Sequence, residues 1–251
     1  MFAASVSRPP RVLLALTLSA LGATALCRSS VANAYQATTV ANPGKIVGTI
    51  TYAGTPPKPL PLEVSKDRDV CGAHPLFDQS LIVGKNGGIA NAVVSLPDIA
   101  KGKPLALKPV TFDQKGCEYI PHVAAFPAGD EVDVINSDNI LHNIHSESTL
   151  NPVIDVAQPG FKKVIKLKVE KPEVIKIGCD AHNWMEGWWY VTANPYYAVS
   201  GADGHYEVSD VPPGTYQIEV WQEKLGTRTR RVTVAPGQTV TVDFTMAPAS
   251  R

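Results

Sequence analysis

Apolar and polar residues alternate in short runs along the chain, and Gly or Pro separates most of these runs. One example is Lys45–Tyr52, which ends at a Gly-Thr-Pro-Pro stretch. A period of two predicts β-strands, whereas no segment keeps the period of 3.6 that is typical of an amphipathic helix. The 21 prolines and 19 glycines fit a chain with many turns. We therefore predict an all-β protein.

The alternating runs form two groups. From Ala128 onward, four runs follow at short intervals: E-V-D-V-I-N, F-K-K-V-I-K-L-K-V, E-V-I-K-I-G-C and G-W-W-Y-V-T-A. The last fifty residues contain an Asp-Gly turn and a final hairpin whose apolar residues share one face. Each group can bury an apolar core, so the pattern predicts two β-sandwiches.

The first 34 residues are interpreted as a signal peptide. Two arginines precede the apolar run Val12–Leu26, and Ala32–Ala34 supplies the small residues of a cleavage site. The apolar run is short for a bilayer span, so an uncleaved anchor is the weaker alternative. We expect a mature chain from near Tyr35, exported to the periplasm or secreted, with no membrane span after cleavage.

Charge argues against one class of partner. Cleavage removes three arginines and no acids, which leaves 20 basic and 23 acidic side chains. No basic stripe or Lys/Arg run stands out, so we expect no nucleic-acid partner.

Three cysteines remain after cleavage, namely Cys71, Cys117 and Cys179. Thiols tend to pair in an oxidising compartment, and an odd count leaves one over. Cys179 lies beside a His and a Met, whereas the other two lie in loop-like stretches. We expect a Cys71–Cys117 disulfide; the alternative is that both are unpaired or bridge another chain.

The stretch G-C-D-A-H-N-W-M-E-G contains a candidate metal site. It places Cys179, His182 and Met185 within seven positions, and His142 follows a loop 37 residues before Cys179. That interval allows two or three strands and their turns, which can bring His142 to the same end of a sandwich. A thiolate, two imidazoles and a thioether suit copper that cycles between Cu(I) and Cu(II), whereas zinc gains little from Met.

These residues carry a family resemblance. The runs G-D-E-V-D-V-I-N, L-H-N-I-H and C-D-A-H-N-W-M-E-G resemble the blue copper cupredoxins of the amicyanin and plastocyanin type, over about Tyr119–Ala193. The resemblance implies a cupredoxin-like Greek-key β-sandwich with one type 1 copper ion. It implies His142, Cys179 and His182 as equatorial ligands, Met185 as the axial ligand and Asn143 as the residue that tethers the ligand loop.

The chain departs from that family at two positions of the ligand loop. Asp180 and Ala181 stand where the family usually has Ser or Thr and often Pro, which bears on loop rigidity and reduction potential. Trp184 is expected on a partner-docking surface. His145 is expected to point away from the metal, and His122 and His74 are expected to be structural or exposed.

A second resemblance lies near the C-terminus. The run V-S-G-A-D-G-H-Y-E-V-S-D-V-P-P-G-T-Y-Q-I-E-V resembles the carboxypeptidase regulatory-like (transthyretin-like) domain, over about Tyr196–Met246. The opening motif of that family appears far upstream, at Gly44–Tyr52, and N-A-V-V-S-L resembles its second strand. We infer one such small β-sandwich split by an inserted cupredoxin; the plainer alternative is a row of separate β-units.

The expected organisation is a signal peptide (1–34), a flexible leader (35–43), an N-terminal β-region (44–118), a cupredoxin-like domain (119–193) and a regulatory-like domain (194–251). The function expected is a one-electron carrier, not an enzyme, that serves a redox partner protein; the oligomeric state stays open. No hydrolase motif G-x-S-x-G or H-E-x-x-H occurs. The electron is expected to leave by a partly exposed edge of His182, past Trp184. The alternatives are a copper carrier or sensor, and a ligand-binding or adhesive β-protein with a structural metal site.

Overall fold

The structure is a computed structural model that describes residues 1–2 and 35–248. The predicted signal peptide and its cleavage site therefore lie outside the described residues. Within them the all-β prediction is confirmed, since the helical structure is one four-residue helix, α1 (Arg68–Cys71). The strands are β1 (Gln36–Ala37), β2 (Gly44–Tyr52), β3 (Val93–Ser95), β4 (Lys101–Gly102), β5 (Val110–Gln114), β6 (Tyr119–Ile120), β7 (Val123–Pro127), β8 (Glu131–Asn136), β9 (His142–Glu147), β10 (Asp155–Gln158), β11 (Val164–Lys168), β12 (Glu173–Gly178), β13 (Glu186–Thr192), β14 (Tyr197–Val199), β15 (His205–Val211), β16 (Gly214–Gln222), β17 (Gly226–Val234), β18 (Thr239–Thr241) and β19 (Phe244–Met246).

The first sandwich is built from two sheets. One has the order β10-β9-β12-β13-β7 and the other the order β11-β8-β5-β6. Alternation decides which side chains face the core: in β8, Val132 and Val134 are fully buried, whereas Glu131 and Asp133 point outward to Lys166. Large aromatic side chains fill the space between the sheets, with Trp189 in contact with both Phe112 and Phe126.

This sandwich begins earlier than the sequence predicts. We placed its boundary between residues 118 and 119, but β5 pairs in parallel with β8 and antiparallel with β6. The sheet therefore starts at Val110. The sequence did not show this start, because β5 has only two apolar residues in alternation and β6 is only two residues long.

The cap segment, residues 60–79, lies against one end of the first sandwich. The Leu62 amide donates a 2.9 Å hydrogen bond to the Leu76 carbonyl, and both side chains pack in the core of that sandwich. The disulfide between Cys71 and Cys117 fastens the segment to the turn between β5 and β6. The segment carries α1 and has little other regular structure.

A carboxylate holds a loop at the other end of the same sandwich. Glu173 accepts hydrogen bonds from the Ser148 hydroxyl at 2.6 Å, the Thr149 amide at 2.6 Å and the Asn151 side chain at 2.9 Å. Burial raises the pKa of Glu173, but these hydrogen bonds outweigh it and hold the pKa well below its usual value.

The second sandwich joins strands from both ends of the described chain. Its sheets have the orders β14-β3-β16-β17 and β15-β2-β18, and β19 also pairs with β2. The upstream strands β2 and β3 therefore lie in the same sandwich as the strands after Tyr196, with residues 110–192 between them in sequence. Gly48 in β2 is required by close packing, because a Cβ there would lie 2.1 Å from the carbonyl oxygen of Val242.

The segment we predicted as a flexible leader is paired. β1 pairs in parallel with β4, and the Tyr35 hydroxyl donates a 2.5 Å hydrogen bond to the carbonyl of Lys103. The prediction of a flexible leader over residues 35–43 is therefore wrong at its first residues, because a two-residue strand carries no alternation that a sequence pattern can reveal.

The two sandwiches contact each other through a small apolar cluster and a buried polar group. Glu223 accepts a hydrogen bond from the Trp188 indole at 2.8 Å and lies 2.5 Å from Nε2 of His122. The side chains of His122 and Glu223 are each 5% exposed. Trp221 packs edge-on against Trp188 beside them. His122 is thus a structural residue, as expected.

Among residues 1–2 and 35–248, the structure contains no helix long and apolar enough to cross a membrane.

Candidate metal centre

Two neighbouring strands place the first two candidate ligands. His142 is the first residue of β9, and Cys179 directly follows the last residue of β12. These strands pair antiparallel, with Gly178 opposite His145, so the start of β9 lies beside the end of β12. The pairing brings together residues that are 37 positions apart in the sequence.

The ligand loop, residues 179–185, supplies the other candidates through two consecutive tight turns. The His182 amide donates to the Cys179 carbonyl at 3.2 Å, and the Met185 amide donates to the His182 carbonyl at 2.9 Å. Each turn reverses the chain after three residues, which returns the side chains to the same end of the sandwich. The C-x-x-H-x-x-M spacing therefore has a direct structural meaning.

Three donor atoms converge at this end. His142 Nδ1 lies 3.0 Å from His182 Nδ1, and the Cys179 Sγ lies 3.9 and 3.8 Å from these two atoms. A triangle with these sides has its equidistant point about 2.1 Å from every corner, close to the usual metal–nitrogen and metal–sulfur bond lengths. Both histidines are fully buried and Cys179 is 4% exposed. The three side chains fit one metal ion without rearrangement.

A carboxylate lies next to the outer nitrogen of each imidazole. His142 Nε2 is 3.0 Å from Asp138 and His182 Nε2 is 2.8 Å from Asp67. A carboxylate favours the tautomer in which Nε2 carries the proton, so both Nδ1 lone pairs point inward toward the thiol. Three inward electron pairs repel one another unless a cation lies among them, and a proton or a metal ion can serve.

The pKa values agree with a proton held in this place. Burial lowers the pKa of His142, but its hydrogen bonds to Asp138 and Cys179 outweigh burial and raise the pKa to about 9. Burial raises the pKa of the Cys179 thiol, but the hydrogen bond with His142 outweighs it, so the net pKa is lowered. Burial lowers the pKa of His182. Both shifts thus favour a proton held on His142 beside the Cys179 sulfur, and a metal ion bound here would displace that proton.

Met185, the predicted axial ligand, lies at the end of the ligand loop, three positions after His182. Its side chain is 2% exposed and packs in the same apolar cluster as Cys179. The side chain of the predicted fourth ligand is therefore buried in the core that also contains Cys179.

Asn143 joins the ligand loop to β9. Its Oδ1 accepts a 2.6 Å hydrogen bond from the Asp180 amide, and its Nδ2 donates to the Asp180 carboxylate at 3.0 Å. Asp180, where the sequence departs from the cupredoxin pattern, also lies 2.9 Å from the exposed His145. Asn143 thus holds the ligand loop at Asp180, the position that differs from the cupredoxin pattern. His145 is exposed and points away from the three donor atoms.

Besides Asp138, two further residues of the centre were missed from the sequence. The Tyr119 hydroxyl lies 2.7 Å from the Asn143 carbonyl and 2.9 Å from the Gly178 carbonyl, and so bridges the two ligand strands. Asp67 contacts His182 across 115 positions of sequence. No local motif marks either of them.

The expectation that one edge of His182 is exposed is wrong. The ring is fully buried, because Asp67 of the cap segment covers its outer nitrogen. Trp184 covers a face of the same ring, with the centroids 5.0 Å apart. Trp184 itself is half-buried and lines a cavity of about 230 Å³ together with Phe77 of the cap segment. His74 is exposed in the same segment.

Cys71 and Cys117 are joined by a disulfide, and both are fully buried. Among the described residues Cys179 is the free cysteine. A buried thiol that lies between two imidazoles and takes no part in a disulfide is available as a metal ligand.

The fold and the donor set together define a cupredoxin-like β-sandwich that is joined to a regulatory-like β-sandwich. Residues 190–247 match the family model of the carboxypeptidase regulatory-like domain, which confirms that resemblance. No curated protein matches the chain.

Several solved structures are similar to part of the chain. Amicyanin from Paracoccus versutus is 15% identical over 34% of this chain and 81% of its own length, with a TM-score of 0.31. A purple cupredoxin from Nitrosopumilus maritimus is 22% identical over 33% of this chain and 99% of its own, with a TM-score of 0.29. A Cu-containing nitrite reductase from Thermus scotoductus SA-01 is 22% identical over 38% of this chain but only 26% of its own length, with a TM-score of 0.30. The chain thus spans about a quarter of that reductase. Because these identities and TM-scores are low, the chemistry of the centre is argued from its own residues alone.

Proposed function

We propose that the protein is an exported type 1 copper protein that carries one electron between redox partner proteins. The observation that carries the proposal is the buried triangle of one thiolate sulfur and two imidazole nitrogens, with a methionine at the end of the same loop.

The donor set favours copper over other metals. A thiolate and two imidazoles with a weak thioether are the donors of copper electron-transfer sites, because the soft sulfur suits Cu(I) while the imidazoles also suit Cu(II). Structural zinc sites take four strong ligands, and a thioether is a poor fourth. Copper bound here would supply a reversible one-electron change.

The protein's own residues keep the donors in place. Cys179 and His142 lie at the ends of paired strands, the Tyr119 hydroxyl bridges those strands, and Asn143 fastens the ligand loop. Little movement is then available to the ligands when the charge of the ion changes, and little reorganisation favours fast electron transfer. Burial of both histidines excludes water from the centre.

The same burial disfavours a copper carrier or sensor. Such a protein exchanges its ion with partners and calls for an exposed site, whereas the three donor residues are at most 4% exposed. A thioether from Met185 would also take up the coordination position that a substrate needs, which supports a carrier of electrons over an enzyme.

Export fits the cysteine chemistry. The disulfide between Cys71 and Cys117 persists in an oxidising compartment, and residues 1–34 have the composition of a signal peptide.

The test is spectroscopic. Purified mature protein loaded with one equivalent of Cu(II) is expected to show an intense thiolate-to-copper band in the visible range, and Cys179→Ser is expected to abolish it. Met185→Leu is expected to keep the band and change the reduction potential. Met246→Leu, a change at a fully buried methionine of the second sandwich, is the matched control and is expected to do neither. A colourless protein that binds Cu(I) alone would favour a copper carrier, and a protein that binds no copper would refute the proposal.

A further inference from the structure

We propose that Asp67 is a positioning residue of the metal centre, which fixes the His182 imidazole with Nδ1 toward the metal and strengthens it as a ligand of the oxidised ion. The inference rests on the proposed copper site and names a residue outside the ligand loop and outside the strands that carry it.

The contact is close and one-sided. The Asp67 carboxylate lies 2.8 Å from His182 Nε2, whose ring is fully buried, whereas the Asp67 side chain itself is 49% exposed. The imidazole therefore has its inner nitrogen among the donor atoms and its outer nitrogen on a carboxylate. A metal-bound histidine commonly donates its second N–H to a carboxylate, which fixes the tautomer and raises ligand basicity.

The backbone at Asp67 supports a role for this contact. Asp67 precedes α1 with φ 45° and ψ 43°, in the left-handed region that non-glycine residues seldom adopt. An Asp in this position ordinarily uses its carboxylate to cap the helix, but the Asp67 side chain makes no capping hydrogen bond. The Asp67 carboxylate therefore does not stabilise the start of α1, and it contacts His182 instead. An unfavourable backbone that is tied to a distant contact is typical of a functional position.

One disulfide lies close to both carboxylates that contact the outer nitrogens, those of Asp67 and Asp138. Asp138 accepts hydrogen bonds from the amides of Gly116 and Cys117, at 2.6 and 2.7 Å, and holds His142 with the same carboxylate. Cys117 is joined to Cys71, which lies four residues after Asp67. The disulfide therefore joins the cap segment, which carries Asp67, to the turn whose amides hold Asp138.

The electrostatic consequence has a definite sign. A negative carboxylate on a ligand imidazole stabilises the more highly charged Cu(II) more than it stabilises Cu(I). Removing the charge of Asp67 should therefore weaken binding of Cu(II) most and raise the reduction potential.

The experiment compares Asp67→Asn with Asp69→Asn. Asn tolerates the left-handed backbone and keeps the shape of Asp, so the variant is expected to fold. Asp69 lies in α1 and is exposed. Its substitution by Asn removes the same charge at a position that makes no contact with His182. We expect Asp67→Asn to bind Cu(II) about tenfold more weakly and Cu(I) almost unchanged, which raises the potential by about 59 mV. Asp69→Asn should leave both quantities near the wild-type values. Equal shifts in the two variants, or no shift in either, would overturn the proposal.

A readout without copper separates this inference from the proposed function. Nitrogen-15 NMR of the metal-free and Zn(II)-loaded protein reports which nitrogen of His182 carries the proton. We expect protonated Nε2 in the wild type and a mixture of tautomers in Asp67→Asn, whether or not copper gives a visible band. If wild-type His182 carries its proton on Nδ1 in the zinc form, or if the variant leaves the tautomer unchanged, Asp67 does not position the ring. If the tautomer shifts but no copper band forms, the proposed function fails while the role of Asp67 stands.

Discussion

Removing the disulfide provides a quantitative test of how the cap segment is held. The double variant Cys71→Ala/Cys117→Ala deletes the crosslink between the cap segment and the turn after β5, while Cys179 remains in place. The two cysteines are 46 positions apart, and both are fully buried.

The size of the effect follows from the loop that the bond closes. A crosslink lowers the conformational entropy of the unfolded chain, and for a loop of 46 residues this contributes about 4 kcal/mol at 25 °C. Loss of two buried sulfur atoms adds a smaller packing cost of about 1 kcal/mol each. We therefore expect the free energy of unfolding to fall by roughly 4–6 kcal/mol.

Urea denaturation of the metal-free protein, followed by tryptophan fluorescence, measures this loss. The matched control is Cys179→Ala, which removes one buried sulfur without breaking a crosslink. The double variant is expected to lose several times as much stability as the control, and its m-value is expected to rise because the unfolded chain is more expanded. A loss no greater than twice that of the control would refute the entropic argument, since packing alone would then account for it.

Three further predictions concern stability. Glu173→Gln is expected to cost about 1 kcal/mol at pH 7, and less as the pH falls below the usual Glu pKa of 4.5, because the unfolded chain takes up its proton before folded Glu173 does; a cost that does not change with pH in denaturant titrations would contradict the hydrogen-bond argument. Gly48→Ala is expected to cost about 1–3 kcal/mol in the same assay, because the added methyl group meets backbone that cannot move independently; wild-type stability would show that the strands can separate there. Glu223→Gln, which removes the charge of the buried carboxylate beside His122, is expected to lower the free energy of unfolding by about 3 kcal/mol. Glu207→Gln, in an exposed ion pair, should lower it by less than about 1 kcal/mol, and similar losses in both variants would mean that the buried contact contributes little.

Local patterns account for what the sequence could predict. Alternation of apolar residues is a property of neighbours in the chain, so β8, β12 and β16 were recognisable before the structure was known. The ligand loop is also local, because Cys179, His182 and Met185 follow one another within two turns. Three cysteines after cleavage leave one unpaired, and the His and Met beside Cys179 indicate that Cys179 is that one.

The remainder depends on contacts that no short window contains. Asp67 meets His182 across 115 positions, in a segment with neither alternation nor helical periodicity. The buried edge of His182 follows from that contact, so the exposed edge that the family pattern implied could not be corrected from the sequence. The start of the first sandwich at Val110 was likewise hidden, since β5 is defined by its pairing with β8 and not by its own composition.

The placement of β2 affects the order in which the chain can acquire its structure. β2 pairs with β19, and Tyr52 lies opposite Met246, so this sheet closes only after nearly two hundred intervening residues have been made. The first sandwich, in contrast, has its strands within residues 110–192 and depends on much shorter loops. During synthesis the first sandwich can therefore form early, while β2 waits with open strand edges that are prone to wrong pairing. Folding of the whole molecule is then limited by the second sandwich, which needs strands from both ends of the described chain.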